Sequence, residues 1–358
     1  MESVPELIGR FRVIRQLGQG GMGTLYLAQD PRLERPVAIK LLKEDSAELR
    51  ERFAREARTA ANLRHVNIVS IFDVDEFNGQ PFIAMEYIPG ETLGEMIRRR
   101  APLPLGRKLQ LIEDLCAGLA YAHRAGIIHR DIKPANIMVD SEGTLKILDF
   151  GIARVVASAM TLVGTLIGTV NYMSPEQISG RKIDLRSDIF AVCAVFYELL
   201  SYKRAFSGSM TEMLVQIVHR DPEPVTKYLA DLDATVVRIL NKALEKDVAR
   251  RYQDLTSMRR ELAPVRGRIE AEEAEGPTVI IGGDKTIVLQ PGGLRDKSAE
   301  IDALLVAANA AIDASDLDAA KAAYQSAAEI EPLNGDVGRL GSRIRDLVLA
   351  QQSREWTI

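Results

Sequence analysis

The chain is poor in cysteine and in long apolar runs, and each shortage excludes a class of protein. Its two cysteines, Cys116 and Cys193, lie in apolar helix-like stretches without a metal-ligand spacing. This predicts buried thiols in a reducing compartment, not a disulfide framework or a zinc site. No apolar run reaches the roughly 18 residues of a membrane-spanning helix, and the longest candidate, 189–200, contains Glu198. The short, acidic first six residues do not resemble a signal peptide, so a cytoplasmic protein is expected.

The chain also lacks a large excess of one charge, because its 46 Lys and Arg nearly balance its 50 Asp and Glu, which gives a formal net charge of -4. Neither a nucleic-acid partner nor a membrane surface is expected from this balance. With 358 residues, of which 46% are hydrophobic, the chain is long enough for two or three globular domains.

Hydrophobic patterning divides the chain into a β-rich part and a helical part. The predicted strands are Phe11–Leu17, Thr24–Ala28, Pro36–Leu42, Ile68–Asp73 and Pro81–Tyr87. A charged helix is predicted from Ala47 to Leu63, and the pattern is mainly helical from Leu93 to about Leu262. Residues 266–297, with clustered Glu and paired Gly, are assigned by composition to an acidic, Gly-rich linker, and residues 298–352 are Ala-rich and helical. The expected fold class is α+β.

A glycine-rich turn joins the first two predicted strands. Its residues are Gly18, Gln19, Gly20, Gly21, Met22 and Gly23. Because a strand follows the glycines, they lie at a hairpin tip, where backbone N–H groups can close over phosphates, and not at the helix start of a dinucleotide-binding fold. A plain Gly-rich hairpin remains the alternative interpretation.

A lysine, Lys40, ends the apolar strand Val37-Ala38-Ile39-Lys40. Burying its ammonium group without an anionic partner is costly. We expect Glu56, on the charged helix, to be that partner.

Three further motifs follow in order: His129-Arg130-Asp131-Ile132-Lys133-Pro134-Ala135-Asn136, Asp149-Phe150-Gly151 and Ser174-Pro175-Glu176. Together with the glycines and Lys40, they resemble the signature set of protein kinases over residues 10 to about 265. The resemblance is nearest to the bacterial eukaryotic-like (Hanks-type) Ser/Thr kinases. It implies a bilobal fold with a small β-rich lobe and a large helical lobe. Departures are few: Val66 stands where Pro is usual, Ser174 where Ala is usual, and Cys193 where Gly is usual.

The resemblance implies γ-phosphoryl transfer from ATP with Mg²⁺, or Mn²⁺ as an alternative, to protein Ser or Thr. Asp131 would accept the substrate's proton, and Lys133 would approach the γ-phosphate. Asn136 and Asp149 would bind the metal, and Lys40, held by Glu56, would bind the α- and β-phosphates. The implied ATP-binding residues outside the glycine-rich turn are Leu17, Leu25, Ala38, Lys40, Met85, Glu86, Ile88 and Met138.

Other matched residues concern substrate choice, architecture and regulation. Lys133 and Thr169, which would shape the acceptor pocket, are typical of Ser/Thr kinases. The resemblance implies that Asp188 anchors the catalytic loop near His129, and that Glu176 pairs with Arg251. In the activation segment, Asp149 to Glu176, the expected phosphorylation sites are Thr161 and Thr165, alternatively ordinary loop threonines.

The C-terminal segment can be aligned with one tetratricopeptide repeat. The matching positions are Leu304, Ala308, Ala311, Ala320, Tyr324, Ala327 and Pro332. A third helix, about Asp336 to Gln351, would cover this pair; an unrelated Ala-rich hairpin is the alternative. In the linker, Thr278 and Thr286 are each followed three places on by an aliphatic residue, which resembles the context read by phosphothreonine-binding domains, although two short strands or a floppy linker are the plainer interpretation.

Two other functions remain as alternatives. A catalytically silent scaffold would act through its C-terminal helices, and a small-molecule phosphotransferase would share Asp131 and Asp149. The second lacks a long activation segment ending in Ser-Pro-Glu. Protein substrates are expected as partners, and a homodimer is an open alternative to a monomer.

Overall fold

A computed structural model describes residues 4–20, 23–42, 57, 59–150, 170–275, 297–313, 316–330, 337, 339–344 and 347. The chain forms two compact units, Met1–Pro291 and Gly292–Ile358. The strands are β1 Leu7–Ile8, β2 Phe11–Gly20, β3 Gly23–Asp30, β4 Arg35–Leu42, β5 Ile71–Phe77, β6 Gln80–Glu86, β7 Gly90–Thr92, β8 Ile137–Asp140 and β9 Leu145–Ile147. The α-helices are α1 Leu93–Arg98, α2 Leu105–Arg124, α3 Pro175–Ile178, α4 Leu185–Ser201, α5 Met210–His219, α6 Ala234–Ala243, α7 Leu255–Glu275, α8 Lys297–Asp313 and α9 Leu317–Ile330.

The small lobe is an antiparallel sheet of order β1-β2-β3-β4-β6-β5. Side chains alternate between the faces of a strand, and both faces of β4 are buried: Val37 and Ile39 join one apolar cluster, Ala38 and Leu42 another. All five predicted strands are present. The prediction Ile68–Asp73 is displaced, because the strand begins only at Ile71.

Residues 67–69 instead bond to β9. The Val69 amide donates to the Ile147 carbonyl at 3.0 Å, and the Ile147 amide donates to the Asn67 carbonyl at 2.9 Å. This connection ties the small lobe to the strand that precedes Asp149, which positions that carboxylate.

The large lobe is built around α4, an apolar helix that is buried almost throughout. Asp184 caps its N-terminus by accepting the Arg186 amide hydrogen bond at 2.9 Å. Cys116 on α2 and Cys193 on α4 are both fully buried, which confirms the prediction of core thiols. Burial raises the pKa of Cys116 to about 12, so this side chain stays an uncharged thiol.

Helix α7 continues through residues 266–275, so the assignment of this stretch to a linker was wrong for its first part. Arg266 binds buried Glu113 of α2 at 2.7 Å. Glu273 accepts the Gly106 amide hydrogen bond at 3.2 Å near the start of α2, where Pro104 provides no side-chain cap. A carboxylate is favourable at a helix N-terminus, and composition alone does not reveal this tertiary use of acidic residues.

In the second unit, α8 and α9 pack through small side chains. Ala308, Ala320 and Ala323 form a buried cluster with Leu340 and Ile344. These two residues belong to a further helical stretch within the predicted third helix, of which 337, 339–344 and 347 are described. Among the described residues, no helix combines the length and apolar character that crossing a membrane requires.

Candidate active site

The loop before β8 holds a bonded group of three side chains around Asp131. Lys133 Nζ donates to Asp131 Oδ2 at 2.8 Å, and Asn136 Nδ2 donates to the same oxygen at 3.0 Å and to the Asp131 carbonyl at 2.8 Å. The Asp131 side chain is 12% exposed. A carboxylate held by two donors has a fixed direction, and it is an acceptor for a further proton donor.

Asp188 on α4 holds the backbone of this loop. Its buried carboxylate accepts the amide hydrogens of His129 and Arg130, each at 2.8 Å, and lies 2.7 Å from Nε2 of His123. These two backbone hydrogen bonds to one helix fix the position of the chain immediately before Asp131. His123 was not identified from the sequence, because a lone histidine on a helix carries no motif.

Lys40 and Asp149 meet between the lobes. Lys40 Nζ lies 2.6 Å from Asp149 Oδ2, and their side chains are 17% and 25% exposed. Burial raises the pKa of Asp149, but the charge and hydrogen bond of Lys40, aided by His129 and Lys133, outweigh burial and hold the pKa below its usual range. The carboxylate is therefore ionised at neutral pH. Glu56, the predicted partner of Lys40, lies outside the described residues.

Strand pairing brings Asn136 beside Asp149. The Leu148 amide donates to the Asn136 carbonyl at 2.9 Å, and Ile137 of β8 pairs with Ile147 of β9. Mg²⁺ prefers a few oxygen ligands and keeps several waters. An amide oxygen and an ionised carboxylate fit that preference. No group of three or more His, Cys, Asp or Glu that could hold a metal ion occurs in the described part of the chain.

Five of the predicted ATP-binding residues belong to one apolar cluster: Leu25, Ala38, Met85, Ile88 and Met138. Leu17 and Gly18 lie on β2, and Gln19 and Gly20 pair with Thr24 and Gly23 at the end of the hairpin. Gly23 has φ 149°, and a Cβ there would lie 2.1 Å from the Leu41 carbonyl oxygen. Only glycine fits this close approach.

Glu86, at the end of β6, has a role that the sequence did not reveal. Its side chain accepts from Lys146 Nζ of β9 at 2.8 Å and from the Ser70 amide at 3.1 Å. The end of β6, which carries the predicted ATP-binding residue Glu86, is thus tied to the strand leading to Asp149.

Glu176 and Arg251 form a buried bidentate pair with two contacts of 2.8 Å. Ser187 Oγ also donates to Glu176 at 2.6 Å, and Arg251 Nε donates to the Glu245 carbonyl at 2.6 Å. The structure therefore brings together two residues that are 75 positions apart in the sequence.

Several predicted positions lie outside the described residues. They are Gly21, Met22, Glu56, Thr161, Thr165, Thr169, Thr278, Thr286 and Pro332.

A family model described as the protein kinase domain matches residues 11–261. Serine/threonine-protein kinase PknB of Mycobacterium leprae is 38% identical over 306 residues, which cover 82% of this chain and 48% of that protein. PknB of Mycobacterium tuberculosis H37Rv is 38% identical over 300 residues, 81% of this chain and 47% of that protein. A probable serine/threonine-protein kinase of Streptomyces coelicolor is 40% identical over 270 residues, covering 72% and 40%. The chain spans about half the length of these curated relatives. On this evidence the chain belongs to the protein kinase family.

Proposed function

We propose that this protein is a serine/threonine protein kinase that transfers the γ-phosphoryl group of ATP to hydroxyl groups of protein substrates. One observation supports this most directly. The bonded group of Asp131, Lys133 and Asn136 is joined to the Lys40–Asp149 pair by the hydrogen bond between Asn136 and Leu148 and by the pairing of β8 with β9. Family membership and the named relatives agree with this function.

Asp131 is the proposed acceptor of the substrate hydroxyl's proton. Its carboxylate is oriented by Lys133 and Asn136, so a hydroxyl hydrogen-bonded to it would point one oxygen lone pair at the phosphorus. Lys133 would then share its positive charge between Asp131 and the transferred phosphoryl group. Such prearranged charge stabilises the transition state without reorganisation.

Lys40 would hold the α- and β-phosphates of ATP, and the hairpin of β2 and β3 would cover them with backbone N–H groups. Asn136 and Asp149 would hold the Mg²⁺, which neutralises phosphate charge when it is bound. In this structure Lys40 already neutralises Asp149. We infer that, when the nucleotide binds, Lys40 would contact the phosphates and Asp149 would contact the metal in place of each other.

Substrate class and activation are proposed on narrower grounds. Lys133 and Thr169 favour Ser and Thr as acceptors. Autophosphorylation at Thr161 or Thr165 would place about 1.5 to 2 negative charges in the activation segment. Arg130, which is exposed beside Asp131, and Arg154, which lies outside the described residues, would receive that charge.

The C-terminal unit is proposed to be a tetratricopeptide-like interaction segment. The buried alanines of α8 and α9 allow the close helix approach that such repeats use. Binding of a phosphothreonine-reading protein to Thr278 or Thr286, and homodimer formation, are further proposals from the sequence.

The decisive test is incubation with γ-labelled ATP and Mg²⁺, followed by identification of the phosphorylated residues. The wild-type protein is expected to label itself or an added protein on Ser or Thr, and the Asp149→Asn variant is expected to be inactive. A wild-type protein that labels no protein would support the silent scaffold. Label on a small molecule alone would support the phosphotransferase alternative.

A further inference from the structure

Gln177, on the short helix α3 that follows Ser174, bonds in two directions. Its side-chain oxygen accepts the Ser174 amide hydrogen bond at 2.8 Å. Its side-chain nitrogen donates to the backbone carbonyl of Arg130 at 2.9 Å. One side chain therefore links the end of the activation segment to the residue that precedes Asp131.

The Arg130 carbonyl belongs to a residue whose backbone conformation must be stabilised by its surroundings. Arg130 has φ 67°, a left-handed conformation that persists in a residue with a side chain only where its surroundings hold it. On one side, Asp188 accepts the Arg130 amide at 2.8 Å. On the carbonyl side the partner is Gln177, and the next amide, of Asp131, donates to His129 Nδ1 at 3.3 Å.

The position of Gln177 is itself fixed. Its neighbour Glu176 is held by Arg251 and Ser187, both buried. The hydroxyl of Ser174 accepts the Gln177 amide at 3.4 Å, and this reciprocal pair forms a capping box at the start of α3. The side-chain amide of Gln177 is thus directed at the catalytic loop by a helix that is anchored in the large lobe.

We propose that Gln177 is a positioning residue, which sets the orientation of Asp131 through the Arg130 carbonyl and couples the docking of α3 to phosphoryl transfer. This inference rests on the proposed function. It assigns two separable roles to one side chain: the oxygen caps the helix, and the nitrogen aligns the catalytic loop. Ser174, which departs from the usual Ala, serves the first role alone.

Three variants separate the two roles. Gln177→Glu keeps an oxygen for the Ser174 amide but loses the donor to Arg130. Gln177→Met loses both the donor to Arg130 and the oxygen that accepts from the Ser174 amide, without adding a charge. Ser174→Ala removes the hydroxyl of the cap and leaves the bond between Gln177 and Arg130 in place. Each is measured as the full chain for kcat, KM for ATP, and melting temperature.

Gln177→Glu and Gln177→Met are both expected to lower kcat, by roughly two- to tenfold, the equilibrium equivalent of one hydrogen bond, with KM for ATP unchanged. Gln177→Glu should keep the wild-type melting temperature. Ser174→Ala should lower the melting temperature and keep the wild-type kcat.

Wild-type kcat in both Gln177 variants would overturn the proposal, and so would a loss confined to Gln177→Glu, which would indicate its charge. A loss of kcat in Ser174→Ala equal to that of Gln177→Met would show a capping role only. If the wild-type protein itself transfers no phosphate, the proposed function fails instead, so the two failures are distinguishable.

Discussion

Replacing Arg251 by Met should destabilise the large lobe strongly. The change removes both 2.8 Å contacts to Glu176 and leaves a carboxylate whose side chain is 4% exposed without its cation. Removing one partner of a buried pair costs about 3–5 kcal/mol. For a domain of this size, that corresponds to a decrease in melting temperature of roughly 6–20 °C.

Differential scanning calorimetry measures this effect, with Lys227→Met as the matched control. Lys227 also contacts a glutamate, Glu223, at 2.7 Å, but both side chains are more than half exposed, so its loss should leave the melting temperature unchanged. The double variant Glu176→Leu with Arg251→Met should be more stable than Arg251→Met alone, because no buried charge remains.

An Arg251→Met protein that melts within about 2 °C of the wild type would refute this reasoning. A double variant that is less stable than Arg251→Met would also refute it, because the loss of stability would then not come from leaving Glu176 as an unpaired buried charge.

Three further results are expected. Burial raises the pKa of Glu176, but hydrogen bonds from Arg251 and Ser187 outweigh burial, so the pKa in the folded protein is lowered. The stability that the ionised Glu176 contributes is therefore complete above the unfolded pKa of about 4.3 and is lost as pH falls through the lower folded pKa. Calorimetry should show a smaller acid-induced decrease in melting temperature for Arg251→Met than for the wild type. Gly341→Ala should destabilise the second unit by about 1–3 kcal/mol, because its Cβ would lie 2.6 Å from the Tyr324 ring; hydrogen exchange of α9 measures this loss, and protection equal to that of the wild type would contradict the packing. A chain ending at Val265 should be about 1–3 kcal/mol less stable than one ending at Glu275, because buried Glu113 loses Arg266; equal melting temperatures of the two shortened chains would show that 266–275 adds nothing.

Local patterns predicted much of this molecule. The strands followed from alternation, and the residues around Asp131 and Asp149 followed from motifs whose members lie within a few positions of each other. The displaced strand Ile71–Phe77 shows the limit, because the apolar residues Ile68 and Val69 suit a sheet equally well, and only their pairing with Ile147 removes them from it.

The contacts that sequence did not reveal join distant parts of the chain. Lys146 meets Glu86 across 60 positions, His123 meets Asp188 across 65, and Gln177 meets Arg130 across 47. Lys146, His123 and Gln177, the members of these contacts that no motif contains, are each an ordinary polar side chain of a strand or helix. Their partners are determined by the fold, so no local pattern distinguishes them from solvent-exposed residues.

Asp131 is the residue on which the proposed phosphoryl transfer from ATP to protein hydroxyls depends. The most direct measurement compares the rate of γ-phosphate transfer by the wild-type protein with that by Asp131→Asn, which preserves size and the contacts to neighbouring donors. We expect kcat to fall by at least about 100-fold, with an unchanged melting temperature and unchanged ATP binding. Transfer by Asp131→Asn at the wild-type rate would contradict the account.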